Sequence, residues 1–269
     1  EFGGAEISVN VIDVRQAPLQ NAIKEVLSTL YGAEWEERYI HYAYEVVSLS
    51  KRTAEKYLGI EAEGKMVHMS GRKGLYVNVD DILEMLKERA LEESKSRNPE
   101  LSPEELSSIA EKIAIASLKY PLISTDRDKI VVFDADKALD IASESGAYVL
   151  YGYARASRIL EKSGYDYEEE EMSNLKFAYE SLPDEGRELM RKVGELPLEV
   201  YLSSRDLEVK RIAKYLFDLT VIFNKFYERC PVLSAEGEER ETRVLVVYSY
   251  LVAMRAAADI VGIPLVTRM

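Results

Sequence analysis

The sequence predicts an α/β portion followed by an all-α bundle, and three observations carry that prediction. A glycine-bounded basic loop, Met69-Ser70-Gly71-Arg72-Lys73-Gly74, divides the chain into two patterns. Before it, apolar residues alternate or run in short β-branched and aromatic stretches, as strands require. After it, they recur at helical spacing nearly to the last residue.

Taken in order, Ile7-Ser8-Val9-Asn10-Val11-Ile12-Asp13-Val14 alternates and then runs apolar, which predicts a buried strand. Pro18 suits a first helical turn; Leu19, Ile23, Val26, Leu27 and Leu30 then share one helical face before Gly32 stops it. Residues 38–47 form the next strand, so residues 7–47 read as a βαβ unit of a parallel sheet. Parallel sheets are covered on both faces and two strands cannot bury themselves, so this unit is expected to be the last portion of a larger α/β domain. Asp80 caps a helix to about Ser96, and Ser102-Pro103-Glu104-Glu105 is a capping box opening a helix that should end at Pro121. A short strand, Lys129-Ile130-Val131-Val132-Phe133, interrupts before helices resume from Asp136 through Leu160, at 173–181 and at 184–195. Pro197 marks a break, and two long helices, 203–229 and 238–261, close the chain with Gly262 and Pro264 as stop signals.

At 269 residues the chain can build one large or two ordinary cores, and no run approaches the ~20 apolar residues of a bilayer span. The reading is a cytoplasmic protein without a membrane role. A single cysteine, Cys230, excludes an internal disulfide and a cysteine zinc cluster; with only His41 and His68 besides, no metal site is expected. Net charge −13 argues against indiscriminate nucleic-acid binding and against a DNA partner, but the sign is uneven. Lys51, Arg52, Lys56, Lys65, Arg72 and Lys73 concentrate positive charge, whereas Glu168 to Glu171 is an acidic run. Glu1-Phe2-Gly3-Gly4 lacks an initiator Met and reads as a cloning remnant or a cut edge; no signal-peptide pattern follows, so the chain is expected to open in mid-fold.

The chemistry of the basic loop is phosphate chemistry: two glycines permit close backbone approach, and Arg72 and Lys73 bring two cations. A solvated surface turn is the plain alternative. Four segments together are more specific. Asp13-Val14-Arg15-Gln16 before an amphipathic helix, Lys65 through Gly74, Gly146-Ala147-Tyr148-Val149-Leu150-Tyr151-Gly152-Tyr153-Ala154-Arg155, and the ending Gly262-Ile263-Pro264 to Arg268-Met269 occur in this order. In that order they resemble the carboxy-terminal half of an archaeal-type arginyl-tRNA synthetase, a class I aminoacyl-tRNA synthetase.

The resemblance implies the end of a Rossmann-type catalytic domain over 1–78, a helical connective and tRNA-stem region over 79–140, and a helical anticodon-binding domain over 141–269. It implies arginine-tRNA ligase activity with ATP and Mg²⁺ in the full-length enzyme, and tRNA(Arg) and arginine as partners. By resemblance, Lys73, Arg72 and Ser70 are the catalytic residues of the Lys-Met-Ser-Lys-Ser-like loop, and His68, Met69, Gly71 and Gly74 bind ATP. Gln16 and Asp13 hold the amino acid, with helix capping as the alternative for both. Tyr151, Tyr153, Arg155, Asn224, Tyr227 and Met269 contact tRNA, splayed bases being stacked on rings and guanidinium planes. Core packing and a frayed end are the alternatives there.

Departures from the family matter. The class I loop's two lysines are replaced by His68 and Gly71, the family's Gln in the anticodon motif is Leu150, and the His after the substrate-holding Gln is Leu19. No His-Ile-Gly-His is present, so this piece alone is expected not to aminoacylate. The competing readings are a non-catalytic helical tRNA-binding module with a degenerate catalytic remnant, and a phosphate-binding regulatory enzyme using only the basic loop. A native monomer is implied, with self-association of the piece through an exposed sheet edge.

Overall fold

A computed structural model describes residues 4–61, 64–68, 76–165 and 172–269. They belong to two compact units, 1–73 with 125–133 and 74–124 with 134–269.

In the first unit, β1 (Ser8–Asp13) leads through a single 3-10 turn into α1 (Ala17–Tyr31), with Pro18 in its first turn, and returns as β2 (Tyr39–Tyr44). The two strands pair in parallel with Ser8 opposite Tyr39, so the βαβ expectation holds. Tyr39 donates its hydroxyl to the buried Gln20 amide oxygen at 2.8 Å, joining strand to helix. A second sheet combines β3 (Val47–Ser50), β4 (Met66–His68) and β5 (Val131–Phe133), ordered β4-β3-β5. Here β4 is antiparallel and β5 parallel to β3, so the strand that interrupts the helices in sequence returns to this unit. Between β3 and β4 runs α2 (Lys51–Leu58), whose first turn is capped by Ser50 Oγ accepting from Thr53 N. The unit leaves apolar surface bare: Ile7 just before the first strand, Val9 and Val11 on it, and Leu19, Val26 and Leu30 on the helix are all exposed.

The second unit is helical. α3 (Val79–Arg97) and α4 (Pro103–Ser124) form a hairpin, followed by α5 (Gly146–Ser163), α6 (Asp184–Gly194), α7 (Leu196–Asp206), α8 (Lys210–Arg229) and α9 (Gly237–Val261). The capping box at Ser102 forms in full: Glu105 N donates to Ser102 Oγ at 3.2 Å and Ser102 N donates to the Glu105 carboxylate at 2.9 Å. The core lies among α4, α5, α8 and α9, with Tyr120, Leu150, Tyr215, Phe223, Phe226 and Tyr250 among its largest fully buried side chains. Close approach of these helices depends on glycine. A Cβ at Gly146 would lie 2.2 Å from the Ala116 carbonyl oxygen, and one at Gly152 would lie 2.4 Å from Thr220 Cγ2.

Several helix boundaries differ from the sequence reading, each for a local reason. Pro121 sits inside α4, which continues to Ser124 rather than ending at it. Residues 173–181 are not one helix: Ser173 is helical, but after it only a 3-10 turn forms, at Tyr179–Ser181. Lys176 N and Ala178 N instead donate to Glu241 and Thr242 side chains of α9, at 2.8 and 3.0 Å. The stretch from Asp136 to Leu160 is divided, because Ser145 caps α5 by accepting from Tyr148 N. Residues 203–229 are two helices separated at Leu207, whose φ of 54° makes it the single non-glycine residue with positive φ among those described. Among the described residues one helix, α9, is after all long and apolar enough to cross a membrane: its 18-residue window has mean hydropathy 1.7, and 56% of that window is buried inside the protein. It serves as the bundle's central core helix.

Candidate nucleic-acid interface

The second unit carries a cavity of about 640 Å³. Its wall is built first by α5, where Tyr151, Arg155, Arg158 and Lys162 recur at spacings of four, three and four and therefore share one face. Tyr227 and Glu228 near the end of α8 face it, with Pro231 to Ser234 beyond. That segment is pinned because Arg243 donates to the Pro231 carbonyl at 2.6 Å while Val232 is buried.

The tail after α9 supplies Arg268 and Met269. Gly262 turns the chain with φ of 63°, a left-handed conformation that costs glycine nothing. Ile263 N then bonds the Ala258 carbonyl, Lys119 donates to the Gly262 carbonyl at 2.9 Å, and Ile263 and Val266 are buried. Arg97 and Asn98, at the end of α3, complete the wall.

Arg155 is the most constrained side chain here. It donates to Tyr151 Oη at 2.7 Å and to Asn224 Oδ1 at 2.9 Å, and its guanidinium carbon lies 4.6 Å and 4.5 Å from the ring centroids of Tyr151 and Tyr227. Asn224 in turn donates to Tyr148 Oη at 2.9 Å. The guanidinium is thus held between two aromatic faces with its plane set by hydrogen bonds, an arrangement lysine cannot reproduce. Five cationic side chains, Arg97, Arg155, Arg158, Lys162 and Arg268, line the cavity against one side-chain carboxylate, Glu228. Arg97 pairs with Glu93 at 2.6 Å and Arg268 with Glu161 at 3.1 Å, whereas the Arg158 and Lys162 side chains make no ion pair with any described residue. A positive, aromatic-lined concavity on a chain of net charge −13 is chemistry suited to a polyanion with stacking groups.

Of the residues singled out in sequence for RNA contact, Tyr151, Arg155, Tyr227 and Met269 come together at this cavity. Asn224 stands behind it, with carbonyl and amino groups both engaged inside the protein. Tyr153 is a correction: at 3% exposure it packs in the core, because it points from the opposite side of α5 to the Tyr151 stripe. Arg97, Asn98, Arg158, Lys162 and Arg268 escaped the sequence reading. The i, i+3, i+4 continuation from Tyr151 could have revealed Arg158 and Lys162, but nothing local announces Asn98.

In the first unit, Asp13 accepts from its near neighbour Arg15, through the backbone N at 2.8 Å and through the guanidinium at 2.7 Å on each carboxylate oxygen. The Arg15 guanidinium accordingly holds the Asp13 carboxyl below its ordinary range, and capping is the role its contacts serve. Gln16 is exposed at the start of α1 without a side-chain capping bond. His68 is exposed at the end of β4, its Nδ1 lying 2.9 Å from the fully buried Ser48 Oγ. Met69, Ser70, Gly71, Arg72, Lys73 and Gly74 lie outside the described residues. Among the described residues no group of three or more His, Cys, Asp or Glu side chains could hold a metal ion.

Comparison with known proteins bears directly on this cavity. Residues 149–269 match the DALR anticodon binding domain. Over almost its whole length the chain is similar to a carboxy-terminal part of arginyl-tRNA synthetase. It is 34% identical over 271 residues to the arginine-tRNA ligase of Pyrococcus abyssi, matching 100% of this chain and 41% of that protein. Against the arginine-tRNA ligase of Pyrobaculum aerophilum it is 32% identical over 266 residues, 99% of this chain and 38% of the relative. The solved arginyl-tRNA synthetase of Thermus thermophilus superposes with a TM-score of 0.81 at 25% identity, covering 98% of this chain and 41% of that one. The chain therefore spans about 40% of the length of the relatives it matches. The DALR match includes Tyr151, Arg155, Tyr227, Arg268 and Met269, whereas Arg97 and Asn98 lie before it.

Proposed function

We propose that this chain is the carboxy-terminal portion of an arginine-tRNA ligase, and that its helical unit reads the anticodon loop of tRNA(Arg) at the Tyr151–Arg155–Tyr227 cavity. The observation that carries this reading is the guanidinium clamped between two tyrosine rings within a wall of cations, inside the region that matches the DALR anticodon binding domain. A base splayed from a loop would stack on Tyr151, Tyr227 or the Arg155 plane, such stacking being worth ~1–3 kcal/mol per base. Arg158 and Lys162 would meet the adjoining phosphates, which position the loop without reading its sequence.

The first unit is read as the end of the Rossmann-type class I catalytic domain. Supporting this, its exposed apolar strand and helix faces need cover, and more than half of each relative's length lies outside the match. Ser70, Arg72 and Lys73, with His68, Met69, Gly71 and Gly74 beside them, would neutralise charge building on the ATP phosphates when the arginine carboxylate attacks. Residues 69–74 carry cations and a hydroxyl but no carboxylate, a donor set that fits the triphosphate rather than Mg²⁺ itself. Gln16 and Asp13 would face the amino acid, Asp13 through its pair with Arg15. The complete enzyme would act in the cytoplasm as a monomer, and these 269 residues alone would bind tRNA without aminoacylating it.

The test is a salt-titrated binding assay of this chain with tRNA(Arg), with tRNA(Arg) altered in its anticodon, and with a tRNA of another specificity. Preference for the unaltered tRNA(Arg) supports the reading. Equal affinity for all three, or no binding, refutes it.

A further inference from the structure

Taking as its basis the reading that the cavity receives a nucleobase, we propose that Asn98, delivered by the α3–α4 hairpin, is a specificity-determining residue that hydrogen-bonds the edge of that base. Discrimination needs a directional donor and acceptor, and most groups lining the cavity do not supply one. The rings of Tyr151 and Tyr227 present π faces that every base can use. Arg158 and Lys162 offer charge that any phosphate satisfies. Arg155 is engaged with Tyr151 and Asn224, and Asn224 is engaged at both ends of its amide.

Asn98 is different. It lines the cavity yet is only 5% exposed. Its Nδ2 donates to the Ser94 carbonyl at 3.3 Å, and its Oδ1 accepts from no described residue. Its backbone is fixed as well, with Asn98 N donating to the Ser94 carbonyl at 2.9 Å and Leu101 N donating to the Asn98 carbonyl at 3.2 Å. Oδ1 is not among the fully buried side-chain atoms left without a partner, so this acceptor is accessible to a group entering the cavity that Asn98 lines. An amide presents an acceptor beside a donor, the pattern that matches paired donor and acceptor atoms on a base edge. Because Asn98 lies before residues 149–269, base discrimination is shared between the DALR region and a hairpin outside it.

The experiment measures affinities of wild type, Asn98→Ala and Asn98→Asp for tRNA(Arg) and for variants changed singly at each anticodon-loop position. Circular dichroism and melting of each protein are recorded alongside. Wild type is expected to prefer the native base at one position. Asn98→Ala should reduce that preference by about tenfold, the effect of losing one paired base-edge contact. Its affinity for an unrelated tRNA and its salt slope should stay unchanged. The nearly isosteric Asn98→Asp, which keeps the acceptors and loses the donor, should also lose the preference while retaining the fold. Wild-type discrimination in a folded Asn98→Asp, or an equal loss of affinity for every tRNA, would overturn the proposal and leave Asn98 a helix cap. Absence of any preference in wild type would overturn the underlying reading of the cavity as well.

Discussion

Arg155 concentrates the chemistry of the cavity, because two rings, one phenol and one amide fix its guanidinium before anything binds. Arg155→Lys keeps the charge and removes the plane, the fork and most of the stacking. It should therefore weaken tRNA(Arg) binding by roughly tenfold with little change in the salt slope, as read by binding isotherms at several salt concentrations. Arg155→Gln removes the charge as well, and a slope that fell by a full phosphate contact in that variant would instead identify Arg155 as a backbone anchor. Tyr151 and Tyr153 make the complementary point. Two residues apart on one helix, they face the cavity and the core respectively, and only the stripe that continues through Arg158 and Lys162 distinguishes them in sequence. Tyr153→Ala should cost about 3–5 kcal/mol of stability, measured by urea unfolding, as a large buried aromatic side chain does.

At the scale of elements, the glycines of α5 decide how the helices meet. Gly146→Ala places a methyl group against the Ala116 carbonyl, a backbone atom that cannot rotate away. Despite alanine's better helix propensity, the variant should be destabilised by about 1–3 kcal/mol in urea unfolding. The capping box at α4 adds a pH signature. The Ser102 N–H holds the Glu105 carboxyl below its ordinary 4.5, so its contribution to stability is present above that value and is lost as pH falls through the depressed value of the folded state. Melting of wild type and Glu105→Gln, which removes the charge and leaves the Ser102 N–H in place, should converge in acid and separate toward neutrality. The same elements show what sequence could reveal. The capping box, Pro18 and Gly262 are local signals, and α1, α4 and the end of α9 begin or stop where such signals stand. The breaks at Leu207 and at 173–181 were illegible, because a left-handed leucine is disfavoured by its own sterics and the 173–181 backbone donors go to side chains more than sixty positions away.

For the molecule as a whole, charge distribution matters more than its sum. A net charge of −13 suggests a protein that avoids polyanions, yet five cations gather around one cavity from α3, α5 and the tail. Half of that wall was readable along α5 and α8; Arg97, Asn98 and Arg268 joined it through folding, from positions that no periodicity links to Tyr151. Binding of tRNA should consequently be salt-dependent but saturable, and pairing Arg158→Gln with Lys162→Gln should reduce the slope of log affinity against log salt by about one to two while leaving anticodon preference intact. The cavity is proposed as the place where tRNA(Arg) is read. Hydrogen-exchange mass spectrometry of the chain with and without tRNA(Arg) tests it most directly. Protection is expected at the end of α3 near Asn98, along the cavity side of α5, at 224–234 and at 265–269. Protection confined to the first unit, with those four segments exchanging as in the free protein, would contradict it.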